Sequence, residues 1–420
     1  MKKTVNRDFE VAVIGGGPAG LMAAGRSAEV GAKTILIEKN LDLGRKLLLT
    51  GRERCNLTHA EFNLKEFVKA YGKEGQFLLS PLSFFGPRET IDFFEKRGVR
   101  TKVERGKRVF PESDKASDVL DVLIKYFKEG KVKIQSGLRV EKIFSSGRRV
   151  TGVQLKDGRR ISAKNYIICT GGKSFPGTGS TGDGFFWAKS LGHSVISPRP
   201  SLVPLQIKES WPKSVQGLSL KNVKLTVFLN GKKEEDRTGE ALFTHFGISG
   251  PIVLDMSKKI GAILEKGEVK LELDLKPGLT EEELDSRLQR DFKKFQRKQF
   301  KNALSDLLPL KLIPIVINFS QIDPEKSVNC ITKEERRALI NVLKGMKMTV
   351  SGLLDFESAI ATSGGVSLKE IDSRTMKSKI IENLFFAGEI IDLDGPSGGY
   401  NLQNCWTTGY VAGQSAAKNI

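Results

Sequence analysis

In the segment "IGGGPAG", Gly15, Gly17 and Gly20 occupy the three glycine positions of GxGxxG, and Glu38 closes the next apolar run. The three glycines act differently. The first permits a tight turn from strand to helix, the second lets a diphosphate approach the backbone, and the third lets the helix pack on the strand. The helix N-terminus then faces the diphosphate charge, and a carboxylate at the end of the second strand accepts hydrogen bonds from ribose hydroxyls. The chemistry expected here is dinucleotide binding.

Other candidates are spread along the chain. "GRKLLLTGRERCNLTH" at 44–59 sets Arg45, Lys46, Arg52 and Arg54 beside Gly51 and Asn56, cations suited to a diphosphate or a reduced, negatively charged ring. His245 in "LFTHFGISGP" is a candidate general acid, since imidazole moves protons near neutral pH. Tyr400, in the polar and glycine-rich stretch 392–413, is either a phenolic proton donor or an aromatic lid. A second literal GxGxxG, Gly177-Gly179-Gly182, follows Pro176 where a strand should stand, and no second strand with a terminal acid comes after it. It reads as a glycine-rich loop leading into a helix from Asp183.

The elements that must place these residues follow from periodicity. Residues 9–40 read as strand, alanine-rich helix and second strand. Between 196 and 349 the texture changes. Val223, Leu225, Val227 and Leu229 alternate before an Asn-Gly turn, and Val269, Leu271, Leu273 and Leu275 alternate again, as in antiparallel strands with one wet face. Thr280 with Glu283, and Thr332 with Glu335, have capping-box spacing. After about residue 350 apolar runs and glycine turns return. The expected organisation is α/β: a Rossmann-like domain of residues 1–195 and 350–420, interrupted by a β-barrel-like and helical insert at 196–349. At 420 residues two such cores are expected.

Composition narrows the class. The formal charge of +19 favours anionic partners, but the basic residues form no recognisable nucleic-acid module, and the densest run, 290–302, reads as a solvated helix face. A nucleic-acid partner is therefore not the first expectation. Cys55, Cys169, Cys330 and Cys405 have no CxxC pair and no metal-ligand spacing to the histidines, which points to a reducing compartment without structural metal. No apolar run is long enough to span a bilayer, and the N-terminus lacks a signal-type apolar region. A cytoplasmic location is expected.

Taken together, "VIGGGPAGLMAA", "GRKLLLTGRERCNLT", "TGGKSFPGTGSTGDGFFWAKSLGH", "GEALFTHFGISGP" and "FFAGEIIDLDGPSGGYNLQNCWTTGYVAG" resemble the YhiN/BaiN-type family of NAD(P)/FAD-dependent oxidoreductases. The motifs run from residue 11 to 413 in the family's order. The resemblance implies a glutathione-reductase-like FAD domain split by an insert. It also implies that FAD is held by Gly15, Gly17, Ala19, Gly20, Glu38, Lys39, Arg45, Lys46, Gly51 and Asn56, with a backbone contact near Val140. Gly171, Gly172, Gly388, Glu389, Gly399, Asn401 and Leu402 complete the implied set. Where the family shows a glycine-rich "GGGRCN", this chain has Arg52 and Glu53.

The function expected is FAD-dependent transfer of hydride from NAD(P)H to a small organic acceptor, with an activated C=C bond as the first class to test. A tRNA-modifying flavoprotein and a non-enzymatic flavin-binding redox sensor are the alternatives. Oligomeric state and any redox role of Cys55 and Cys405 stay open.

Overall fold

The apolar run ending at Ile14 forms a strand, β1 (Phe9–Ile14), in the computed structural model, which describes residues 8–418. The N-terminal stretch read above for its lack of an apolar region lies outside them up to Arg7. After β1 comes α1 (Pro18–Glu29), opened by a proline in the first turn, where a missing N–H costs no intrahelical bond. It leads to β2 (Thr34–Ile37). Three later segments join them: β3 (Lys133–Gln135), β4 (Ala163–Ile168) and β5 (Leu384–Phe386). The sheet order is β5-β4-β1-β2-β3, every neighbouring pair parallel.

Register is what matters for the site. Ile14 pairs with Ile37 and with Ile168, and Ile168 pairs with Phe386, so four strands end at one level. The residues immediately beyond those ends converge on the carboxyl edge of the sheet. In open α/β sheets that is where ligands bind.

Two further helices help form the site: a short one, α2 (Asp183–Ser190), and a long one at the end of the chain, α3 (Tyr400–Lys418), which packs along α1. A Cβ on Gly409 would lie 2.5 Å from the Ala19 carbonyl oxygen, and one on Gly413 2.4 Å from that of Ala23. Only glycines let the two backbones approach so closely.

The chain divides into two units: one runs to Ser201 and resumes at Phe356, and the other is Leu202–Asp355. The boundaries fall at these points because Val195–Ser201 pairs antiparallel with Ala361–Val366 in the first unit, while Met346–Leu353 closes the sheet of the second. That second sheet is a six-stranded closed barrel containing Ser219–Leu229, Lys232–Thr244 and Val269–Asp274. Val223, Leu225 and Val227 point into its core, at 2%, 0% and 1% exposure, while their neighbours are more exposed. The helices Glu281–Lys294 and Lys333–Lys344 open on the expected capping boxes: Thr280 Oγ1 accepts from the Glu283 amide, and the Glu283 carboxylate accepts from that of Thr280. Each unit has its own apolar core. The basic run 290–302 is α-helical only as far as Lys294, then turns and ends in a 3-10 turn, Phe300–Asn302, whose Phe300 is buried.

Candidate functional site

Beyond the aligned strand ends lies one cavity, walled by Gly15 to Ala19 after β1, Glu38 to Asn40 after β2, Cys169 to Gly171 after β4, and Gly388 and Glu389 after β5. The first turn is built by exclusion of side chains. Gly15 sits at φ +109°, and a Cβ on Gly20 would fall 1.8 Å from the Gly15 carbonyl oxygen. Gly17 differs: nothing stands within 4 Å of the place its Cβ would occupy, so the backbone there faces open cavity. Gly17 is also the N-cap of α1. No side chain caps that helix and no acid stands in its first turn, so its leading amides are free to meet an anion.

Glu38 is 8% exposed and held by three donors. One oxygen accepts from the Gly16 amide at 2.6 Å, and the other from both the amide and the side chain of Asn40 at 2.8 Å. Lys39 reaches Thr181 Oγ1 at 2.6 Å and Asp183 at 3.0 Å, and Arg139 meets the other Asp183 oxygen at 2.7 Å. Arg45 donates to Asn40 at 3.2 Å. Toward the opposite wall, Lys46 pairs with Glu389 at 2.8 Å and donates to Ser174 Oγ at 2.6 Å. Glu389 also accepts from Ser174 Oγ and from the Thr362 amide.

Of the residues named from sequence, Gly15, Gly17, Ala19, Glu38, Lys39, Arg45, Lys46, Gly171, Gly388, Glu389, Asn401 and Leu402 line this cavity. Six others do not line it. Gly20 supports the first turn, and Gly172 packs on Thr362, 2.3 Å from its Oγ1 where a Cβ would be. Gly51 begins a run of left-handed residues (Gly51, Arg52, Glu53, Cys55), so this chain places two long side chains where backbone geometry favours glycine. Asn56, with its amide oriented to match donors to acceptors, donates to the Val109 and Thr58 carbonyls and accepts from the Gly399 amide at 3.0 Å. Gly399 lies against Thr58, and Val140 is buried at the head of its strand.

The two candidate acids have different surroundings. His245 is exposed, on the turn between Lys232–Thr244 and Gly247–Ser249 of the second unit. The Tyr400 ring is enclosed by His59, stacked at 4.6 Å, by Phe67 at 4.9 Å and by Tyr71 edge-on at 5.7 Å. Tyr71 also donates its hydroxyl to the Tyr400 carbonyl at 2.7 Å. His59, which forms no constellation in the sequence, meets the Gly398 carbonyl through Nδ1 at 3.3 Å. All four cysteines are free thiols. Burial pushes Cys55 and Cys405 up to about 12, so neither supplies a thiolate near neutral pH.

Sequence reasoning missed Asn40, Arg139, Thr178 to Ser180, Asp183, Ile360, Ala361 and Asn404, all of which line the cavity. Asp183 had a visible signal, as the acid that ends the second glycine motif. No group of His, Cys, Asp and Glu suited to a metal ion occurs among the described residues.

The donor set fits FAD: uncapped amides and an open glycine for a diphosphate, an oriented carboxylate for ribose, and cations along the wall. Comparisons with known proteins point the same way. The chain is 32% identical over 411 residues to a 3-dehydro-bile acid delta(4,6)-reductase of Clostridium scindens, covering 97% of this chain and 99% of that protein. It is 29% identical over 415 residues to a ribosomal RNA dihydrouridine synthase of Escherichia coli, covering 98% and 99%. Among solved structures, the open conformation of a flavocytochrome c3 fumarate reductase superposes with a TM-score of 0.53 at 18% identity, over 98% of this chain and 78% of that one, a likeness of fold. A family described as the HI0933-like protein Rossmann domain matches residues 9–415, and the chain belongs to that family, the YhiN/BaiN-type oxidoreductases.

Proposed function

We propose that the chain is an FAD-dependent oxidoreductase that takes hydride from NAD(P)H and saturates a C=C bond conjugated to a carbonyl. One observation carries the reading: the segments after four aligned strands meet in a single cavity, with Gly17 open, α1 uncapped and Glu38 oriented. Bound there, FAD would supply the ring that accepts and donates hydride. The chain's own residues do the placing. The α1 N-terminus offsets diphosphate charge, and Glu38 accepts from ribose hydroxyls. Lys46, fixed by Glu389 and Ser174, holds an ammonium in the opposite wall. The N-terminus of α3, through Asn401 and Leu402, brings the positive end of a long helix to the same wall. Leu47, Leu393 and Ile360 supply apolar lining that excludes water.

The substrate class rests on the relatives' names. A delta(4,6)-reductase and a dihydrouridine synthase have saturation of a ring double bond in common. The enclosure of Tyr400 by three rings favours a packing role for that residue.

The test is anaerobic mixing of the purified yellow protein with NADH or NADPH, followed by a screen of enone acids for reoxidation. Bleaching by a nicotinamide and recovery with an enone is the expected result. No bleaching by either nicotinamide would refute the donor. A second reading, reduction of uridine within RNA, is favoured by the charge: most of the +19 surplus lies outside residues 202–355, in the unit that carries the cavity. It predicts retention of structured RNA that weakens steeply with salt.

A further inference from the structure

The second glycine motif does not build a second dinucleotide site, yet it is part of the cavity wall. Thr178, Gly179 and Ser180 line the cavity, and the segment around them is fastened at both ends. At its start, the Lys173 and Ser174 amides donate to Thr362 Oγ1 at 2.8 and 3.1 Å, and Ser174, fully buried, is tied to Lys46 and Glu389. At its end, Asp183 receives Lys39 on one oxygen and Arg139 on the other, with its side chain 12% exposed. Asn40 donates to the Thr178 carbonyl at 3.0 Å through the same amide nitrogen that orients Glu38. A glycine-rich chain between two such anchors crosses the side where the nucleotide half of a dinucleotide would lie.

We propose that Lys173–Asp183 is a strap closed over the bound dinucleotide, and that the Lys39–Asp183–Arg139 clasp sets how slowly that cofactor leaves. The proposal rests on the FAD reading above. Asp183 and Arg139 are positioning residues: they hold the strap, which in turn covers the ligand. Two charge-assisted contacts on one carboxylate give the closed form its advantage, and removing that charge lets the strap open. Thr181 Oγ1 accepts a second bond from the same lysine.

The experiment dilutes the flavin-loaded full chain and follows free FAD by the recovery of flavin fluorescence. Lys39→Met should release FAD about tenfold faster, the scale of one lost charge-assisted contact, and Asp183→Asn, which loses both contacts, faster still. The double variant should release little faster than Asp183→Asn alone, because both act through one clasp. Lys39→Arg should restore slow release, which a merely structural defect would not show. Arg139→Met, on a half-exposed side chain, serves if an Asp183 variant fails to fold, and is also expected to speed release. Unchanged release in Asp183→Asn and Arg139→Met, alongside faster release in Glu38→Gln, would overturn the strap while leaving the FAD reading in place. A wild-type chain that neither carries nor takes up FAD would overturn both.

Discussion

The two GxGxxG motifs of this chain have the same letters and different physics. In the first, a buried strand feeds the glycines, Gly20 is packed against the turn, and Gly17 opens onto a cavity beneath an uncapped helix. In the second, Pro176–Thr178 is a short 3-10 turn with no strand directly before it, and nothing stands within 4 Å of a Cβ on Gly177. The lesson is that the glycine pattern signifies a diphosphate site only when a strand end supplies its direction and a second strand end supplies the acid. Without them, the same spacing yields a loop that crosses the site.

That contrast can be broken most directly by alanine. Gly20→Ala should abolish flavin retention and cost about 3 kcal/mol in thermal or denaturant unfolding, because the new methyl would overlap the Gly15 carbonyl. Gly177→Ala should change stability by less than about 0.5 kcal/mol and keep the protein yellow. Equal damage at both positions would erase the distinction. Next in size, Glu38→Gln should weaken FAD about tenfold in a titration of the apoprotein and leave the weaker binding of FMN unaltered, since FMN has no adenosine ribose.

Smaller effects sharpen the point that geometry, rather than residue type, defines these turns. Arg52 and Glu53 hold left-handed backbone at φ 58° and 65°, so replacing either with glycine should be neutral or stabilise by up to about 1 kcal/mol in a melt, against the usual sign. The smallest effect is in pH. His193, just past α2, is buried with Nε2 2.7 Å from Ser378 Oγ and Phe386 edge-on. Burial lowers its pKa, partly opposed by Glu370. Its folded state therefore binds a proton less readily than the unfolded chain, so stability should be full above the ordinary histidine range and decline as pH falls through it. His193→Gln should flatten that part of the melting-temperature profile.

Much of this was legible in the sequence for identifiable reasons. The first motif, Glu38 and the barrel alternation follow from local spacing, which the fold preserves. The strap contacts were not legible, because Asp183 meets Lys39 and Arg139 only after the sheet brings distant strand ends to one level. The enclosure of Tyr400 depends likewise on His59, Phe67 and Tyr71, none of which has a periodic relation to it.

The central claim is that one cavity at the carboxyl edge of the sheet binds a dinucleotide through its nucleotide half. Titrating the apoprotein with FAD and, in parallel, with FMN tests it most directly. The account predicts tight uptake of FAD, much weaker uptake of FMN, and loss of that preference in Gly20→Ala. Equal affinity for the two flavins, or no uptake of either, would contradict it.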